Sequence, residues 1–164
     1  MPHESRLSRG LRQLLLSRRV AALGTSDAKG NPFVSMVPFA ACPGRGRVVI
    51  HVSGMAAHTG HMRERPAVSL LVATGEAPGE PVHALQRVTM QGTATTPEPG
   101  GAEWEECRSA YLDRFPEAEP MTRLGDFRFV AIDVDHGRHV EGFGTARNVT
   151  GEELERVLGP VPVA

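Results

Sequence analysis

Three observations predict a mainly β fold of the α+β class, a small antiparallel β-barrel with peripheral helices. Short apolar runs recur at 20–25, 32–40, 48–53, 67–73, 86–94, 127–135 and 138–144, most of them rich in Val, Ile, Thr or Phe. Gly, Pro, Asn and Asp separate them, and these residues turn a chain tightly. Helices are expected at the start, between strands and near the end. With 164 residues, 40% of them hydrophobic, a single domain over 1–164 with a core of its own is expected.

Leu7, Leu11, Leu14 and Leu15 fall at i, i+4, i+7 and i+8, a helix stripe that leaves Arg6, Arg9, Arg12 and Arg18 for the polar side. Residues 20–25 read as a strand, with Asp27, Gly30 and Asn31 as the turn of a hairpin. The run 32–40 is apolar on both alternating faces and is therefore expected to be covered on both, with Pro38 forcing an edge or a bulge. Turn residues at 42–47 lead into the strand 48–53, which completes an antiparallel meander. Pro66 stops a helix of one or two turns; 67–73 is a buried strand, and a Gly/Pro/Glu loop follows to Pro81.

In 86–94, Val88, Met90 and Gly92 share one face and Arg87, Thr89 and Gln91 the other, the pattern of a half-buried strand. Trp104, Cys107, Tyr111, Leu112 and Phe115 repeat at helical spacing before Pro116, which places Trp104 and Tyr111 in the core. Residues 127–135 read as a strand, His136 and Gly137 as its turn, and 138–144 as the returning strand. Thr150 and Glu153 have capping-box spacing for a last helix over about 150–158.

Composition excludes several functions. A net charge of −1 and only 5% aromatic residues leave neither a nucleic-acid footprint nor base-stacking platforms. Arg12, Arg18 and Arg19 bracket Leu14 to Leu16, so no segment is long enough to cross a bilayer or act as a signal peptide. Cys42 and Cys107 lie far apart without paired spacing, which fits a reducing compartment; a cytoplasmic location is expected. No nucleophile elbow, Walker loop, zinc-protease motif or dinucleotide fingerprint is present.

Residues 48–69 organise the chain: an apolar strand, a small-residue connection, a short helix and a second strand. A helix start carries unpaired N–H groups and a positive dipole end, so Ser53, His58 and Thr59 are candidates to bind an anion, against their ordinary role as caps. His58 and His61 share a helix face and suit a metal or haem iron, but no Cys or acidic residue completes a zinc-like set, so no metal is expected. His83, His136 and His139 fall in loops or at strand ends, where exposure is expected.

Three segments, 31–40, 50–59 and 65–71, together resemble the pyridoxamine-phosphate oxidase-like family of FMN-binding split barrels, particularly its haem-utilisation branch. Residues 111–116, 125–127 and 137–144 continue that branch's pattern, so the likeness covers about 11–146. It implies a six-stranded antiparallel split barrel that forms a homodimer, with FMN between subunits and a small-molecule substrate. By position, Ser35, His51, Ser53, His58, Thr59, Arg87 and Arg138 match cofactor-facing places, and Arg87 would supply charge-assisted hydrogen bonds to the phosphate.

The departures bear on activity. Basic residues that the oxidase proper carries are replaced by Ser35, Ala40, Ala57 and His58, and Gly60 and His61 stand where the haem branch has a basic residue and Asn. Pyridoxamine-phosphate oxidation itself is therefore not expected. The haem branch often has a further C-terminal domain without counterpart here, so a haem function that depends on it is not expected either. An FMN-dependent oxidoreductase is the leading expectation, with the flavin, or a deazaflavin, supplying the redox centre. The alternatives are a haem-binding or haem-degrading protein with a ligand such as His58, His61 or His139, and a flavin-binding module without turnover.

Overall fold

The structure is a computed structural model and describes residues 4–161, so the ends of the predicted 1–164 domain lie outside the described residues. In chain order the elements are α1 (Arg6–Ser17), β1 (Val20–Ser26), β2 (Pro32–Pro38), β3 (Ala40–Cys42), β4 (Arg47–Ser53), α2 (Ala57–Glu64), β5 (Ala67–Ala73), β6 (Arg87–Thr95), α3 (Ala102–Arg114), β7 (Phe127–Val140), β8 (Ala146–Thr150) and α4 (Gly151–Leu158). Single 3-10 segments occupy Val82–Ala84 and Pro116–Arg123.

All strands join one antiparallel sheet in the order β2-β1-β5-β6-β7-β4-β3, with β8 on β7. The fold is the expected split barrel, with eight strands rather than six; the three-residue β3 and the late β8 are the additions. Only Phe39 separates β2 from β3, yet the two lie at opposite ends of the strand order, so the meander expected there is instead the seam of the barrel.

The core has two parts. Inside the curl, Leu23, Ile50, Leu70, Met90 and Ile132 meet the leucines of α1 and α4. Outside it, α3 lays Cys107, Ala110 and Tyr111 against Val49, Phe129 and Ala131 of β4 and β7, with Trp104 partly buried at its margin. The alternation of β6 is as expected, Val88, Met90 and Gly92 facing inward. Thr150 caps α4 by accepting the N–H of Glu153 at 3.2 Å, a contact typically worth about 1 kcal/mol.

Four expectations are corrected. First, β2 is not covered on both faces: Val34 and Met36 on its outer face are 68% and 67% exposed, while the edge position expected from Pro38 is present, β2 having one neighbour. Second, His136 and Gly137 do not turn: β7 continues through them to Val140. Neither has the positive φ that a two-residue hairpin turn needs, and a Cβ at Gly137 would lie 2.7 Å from the Thr89 carbonyl oxygen. The glycine serves close strand approach, and the chain reverses at 141–145, where Gly144 has φ +71°.

Third, Arg12 is buried, not on the polar side of α1. Its guanidinium donates to the carbonyls of Arg156, Val157, Gly159 and Pro160 and to Glu4, which satisfies the orphan carbonyls at the end of α4. Fourth, His139 is fully buried on the inward face of β7 opposite Val88, with its Nε2 on the Gln86 amide, so it is neither exposed nor open to a haem iron.

Candidate functional site

The turn from β4 to α2 is built around Asp126, just before β7. Gly54 donates to the Asp126 carbonyl at 2.7 Å, and a Cβ there would come within 2.8 Å of the Asp126 carboxylate and 3.2 Å of its carbonyl oxygen, so a side chain would push the carboxylate aside. The Ser53 hydroxyl donates to Asp126 Oδ2 at 2.7 Å and accepts from the Met55 N–H. The Thr59 hydroxyl donates to the Ser53 carbonyl at 2.6 Å. Both hydroxyls therefore hold the turn together, and neither has a proton left for a phosphate.

The helix itself begins at Ala57, after Ala56, which offers no side-chain cap, and sends Met62 into the core. Two imidazoles tie it to the β1–β2 hairpin. His58 Nδ1 lies 3.0 Å from the Ser35 hydroxyl, and His61 Nδ1 lies 2.9 Å from the Thr25 hydroxyl. The His61 ring also meets Phe33 edge-on, with centroids 5.3 Å apart. Among the described residues the Nε2 of each ring makes no hydrogen bond. Burial, reinforced by the neighbouring His61, pushes the His58 pKa below the ordinary histidine value.

Of the residues picked out in the sequence, Ser35, Ser53, His58 and Thr59 are thus brought together at one end of the barrel. His51 is not among them. It faces outward beneath α3, stacked on Phe127 at 5.2 Å and beside Phe129 and Tyr111, and burial pushes its pKa down. Arg87 folds back onto the Leu85 carbonyl at 2.8 Å, and Arg138 donates to Asn148 at 3.0 Å. These two arginines are diagonal neighbours on the outward face of β6 and β7, whereas Ser35 faces inward opposite Leu23. With β1 and β5 between them, β2 and β6 are roughly 14 Å apart at ordinary strand spacing. One chain does not bring the arginines to the histidines.

Thr25, Phe33 and Asp126 complete the site without a local sequence signal. Thr25 and His61 are 36 positions apart, and no local pattern marks such a pair. Among the described residues no group of three or more His, Cys, Asp or Glu gathers to hold a metal ion, and no helix is long and apolar enough to cross a membrane.

The family model described as pyridoxamine 5′-phosphate oxidase matches residues 7–141. Heme oxygenase HutZ of Vibrio cholerae serotype O1 is 27% identical over 152 residues, 92% of this chain and 85% of that protein. The non-canonical heme oxygenase HOZ, chloroplastic, of Arabidopsis thaliana is 36% identical over 124 residues, 76% of this chain but only 36% of that protein. Among solved structures, a heme binding protein from Mycobacterium smegmatis superposes with a TM-score of 0.82 at 29% identity, covering 94% of this chain and 62% of that one.

Proposed function

We propose that this chain, which belongs to the pyridoxamine 5′-phosphate oxidase family, binds haem against α2 and takes part in its degradation, in preference to serving as an FMN-dependent oxidoreductase. The observation that carries the reading is the state of the two sets of polar groups. The hydroxyls that would serve a phosphate, Ser53 and Thr59, are occupied within the turn, while His58 and His61 are each held through Nδ1 with Nε2 free. An imidazole fixed by a hydrogen bond at its far nitrogen is the usual arrangement of a metal ligand. His58 is the iron ligand in this reading, and its neutral ring offers the lone pair that ligation needs.

When bound, haem iron supplies the redox centre for oxygen chemistry, and the protein supplies ligand, orientation and shelter from water. Ser35 sets the plane of the His58 ring, and Thr25 with Phe33 sets that of His61. Relatives with 27–36% identity carry haem in their names, which favours the same reading. FMN in this place retains one favourable observation, the N-terminus of α2 without a side-chain cap, which suits a phosphate.

Titration of the purified chain with hemin and with FMN separates the two. Hemin is expected to saturate and to give an absorption spectrum that changes in His58→Ala, while FMN at equal concentrations gives no saturable signal. Saturable binding of FMN or a deazaflavin, with a hemin spectrum indifferent to His58→Ala and His61→Ala, reverses the order of the readings. With ascorbate and air, the hemin complex is expected to lose its porphyrin absorption to a ring-opened tetrapyrrole; a stable complex instead removes degradation and leaves binding alone.

A homodimer belongs to the same proposal. Val34, Met36, Val20 and Leu71 are exposed apolar residues of β2, β1 and β5, and adjoining strands of this kind favour association through a sheet face. Light scattering at micromolar concentration is expected to show a dimer, and Met36→Glu a monomer. A wild-type monomer would end this part of the proposal.

A further inference from the structure

The side chain of Gln86, just before β6, joins two groups that are far apart in sequence. Its amide nitrogen lies 3.1 Å from the Gly10 carbonyl of α1 and 3.2 Å from His139 Nε2. An amide NH2 has two protons, and here one goes to each acceptor, so His139 Nε2 must carry a lone pair. The ring is fully buried, and its Nδ1 has no partner.

Charged groups surround the ring without bonding to it. Arg147 of β8 is its register partner and is tied bidentately to Glu153 of α4, which also accepts from Ser8 of α1 at 2.7 Å. Glu141 lies two residues on and pairs with Arg6 of α1 at 3.1 Å. Gly10 is packed so closely that a Cβ there would come within 2.6 Å of the Glu141 carboxylate. The first half of α1 is thus held to the end of β7 through Arg6, to α4 through Ser8 and to the start of β6 through Gly10, with His139 on the far side of the Gln86 amide.

We propose that His139 is the pin of a proton-operated latch, whose protonation turns the Gln86 amide away from Gly10 and loosens the first half of α1, while Arg12, Leu14 and Leu15 keep the second half docked. Protonated Nε2 has a hydrogen where the amide hydrogen now sits. Two donors face each other, and the amide relieves this only by rotating its oxygen inward, which breaks its bond to Gly10. The imidazolium would also lie beside Arg147, whose charge opposes it, while Glu141 and Glu153 favour it.

The sign follows from linkage. Burial first, and then Arg147, keep the His139 pKa below the ordinary value of 6.5, so the neutral ring is favoured while the first half of α1 is docked. Opening exposes the ring to its ordinary value, and the opening constant rises by up to about tenfold per pH unit as pH falls from 6.5 to the docked pKa. Glu153, whose pKa is lowered chiefly by its bond to Arg147, acts only in a separate window below about 4.5.

Hydrogen exchange of the full chain between pH 7.5 and 5, corrected for intrinsic rates, tests the latch. Protection of the first half of α1 is expected to fall several-fold below pH 6.5 while its second half, β5 and β6 keep theirs. In His139→Gln, whose amide oxygen accepts from Gln86 at every pH, the α1 profile is expected to be flat. If that variant does not fold, the wild-type His139 ring resonance serves: it is expected to titrate below 6.5 together with the loss of α1 protection. Unchanged α1 protection as the ring titrates, an equal loss over the whole sheet, or a pH slope retained in His139→Gln would overturn the proposal.

Discussion

Ser35→Ala is expected to weaken hemin binding about 10–100-fold, the usual effect of removing the partner of a metal-ligating histidine, and His58→Ala by more. The Ser35 hydroxyl is 3.0 Å from His58 Nδ1, and without it the ring is free to turn about its bonds, so Nε2 no longer points one way. Binding is also expected to weaken as pH falls below 6.5 through the lowered pKa of His58, because the protonated ring has no lone pair to offer. Spectroscopic titration of the wild type and the two variants at pH 7.5 and pH 5 measures both effects, and the pH dependence is expected to be lost in His58→Ala. Normal affinity in both variants would remove α2 as the binding element; a loss in His58→Ala alone would leave the ligand and remove the orienting role of Ser35.

Gly92→Ala is expected to lower stability by about 3 kcal/mol, the upper range for overfilling a packed interior. A Cβ at Gly92 would stand 2.2 Å from the Asp133 carbonyl oxygen, and backbone cannot move aside as a side chain can. The position adjoins the register shift between Gln91 and Gly92 in the pairing of β6 with β7. For a chain of this size that corresponds to a fall in Tm of roughly 6–12 °C. Gly60→Ala is the contrasting case: nothing lies within 4 Å of a Cβ there, and alanine inside a helix is expected to add roughly 0.5–1 kcal/mol. Thermal melts of the two variants should move in opposite directions; a Gly92→Ala protein that melts with the wild type would contradict the close approach.

Elements with a local cause were legible in the order of residues alone. The leucine stripe of α1, the alternation of β6, the helical repeat of α3 and the Thr150 cap of α4 each follow from spacing within a dozen residues, and each is present. The gathering of Ser35, Ser53, His58 and Thr59 was legible too, because the family pattern sets those positions together. What each group does there depends on contacts between distant elements. Hydroxyls read as phosphate donors turned out to fasten the Ser53 turn, because Asp126 arrives from 73 positions away to accept the Ser53 proton. Arg12 and His139, which local pattern placed at the surface, are buried because their partners at the end of α4 and on Gln86 come from elements distant in sequence. Gly137 reads as a turn residue but serves to let β6 and β7 approach, a distinction of backbone distance that no residue type encodes. Hydrogen-bond partners that satisfy a buried polar group are chosen by the packing of whole elements, and that choice is made in three dimensions.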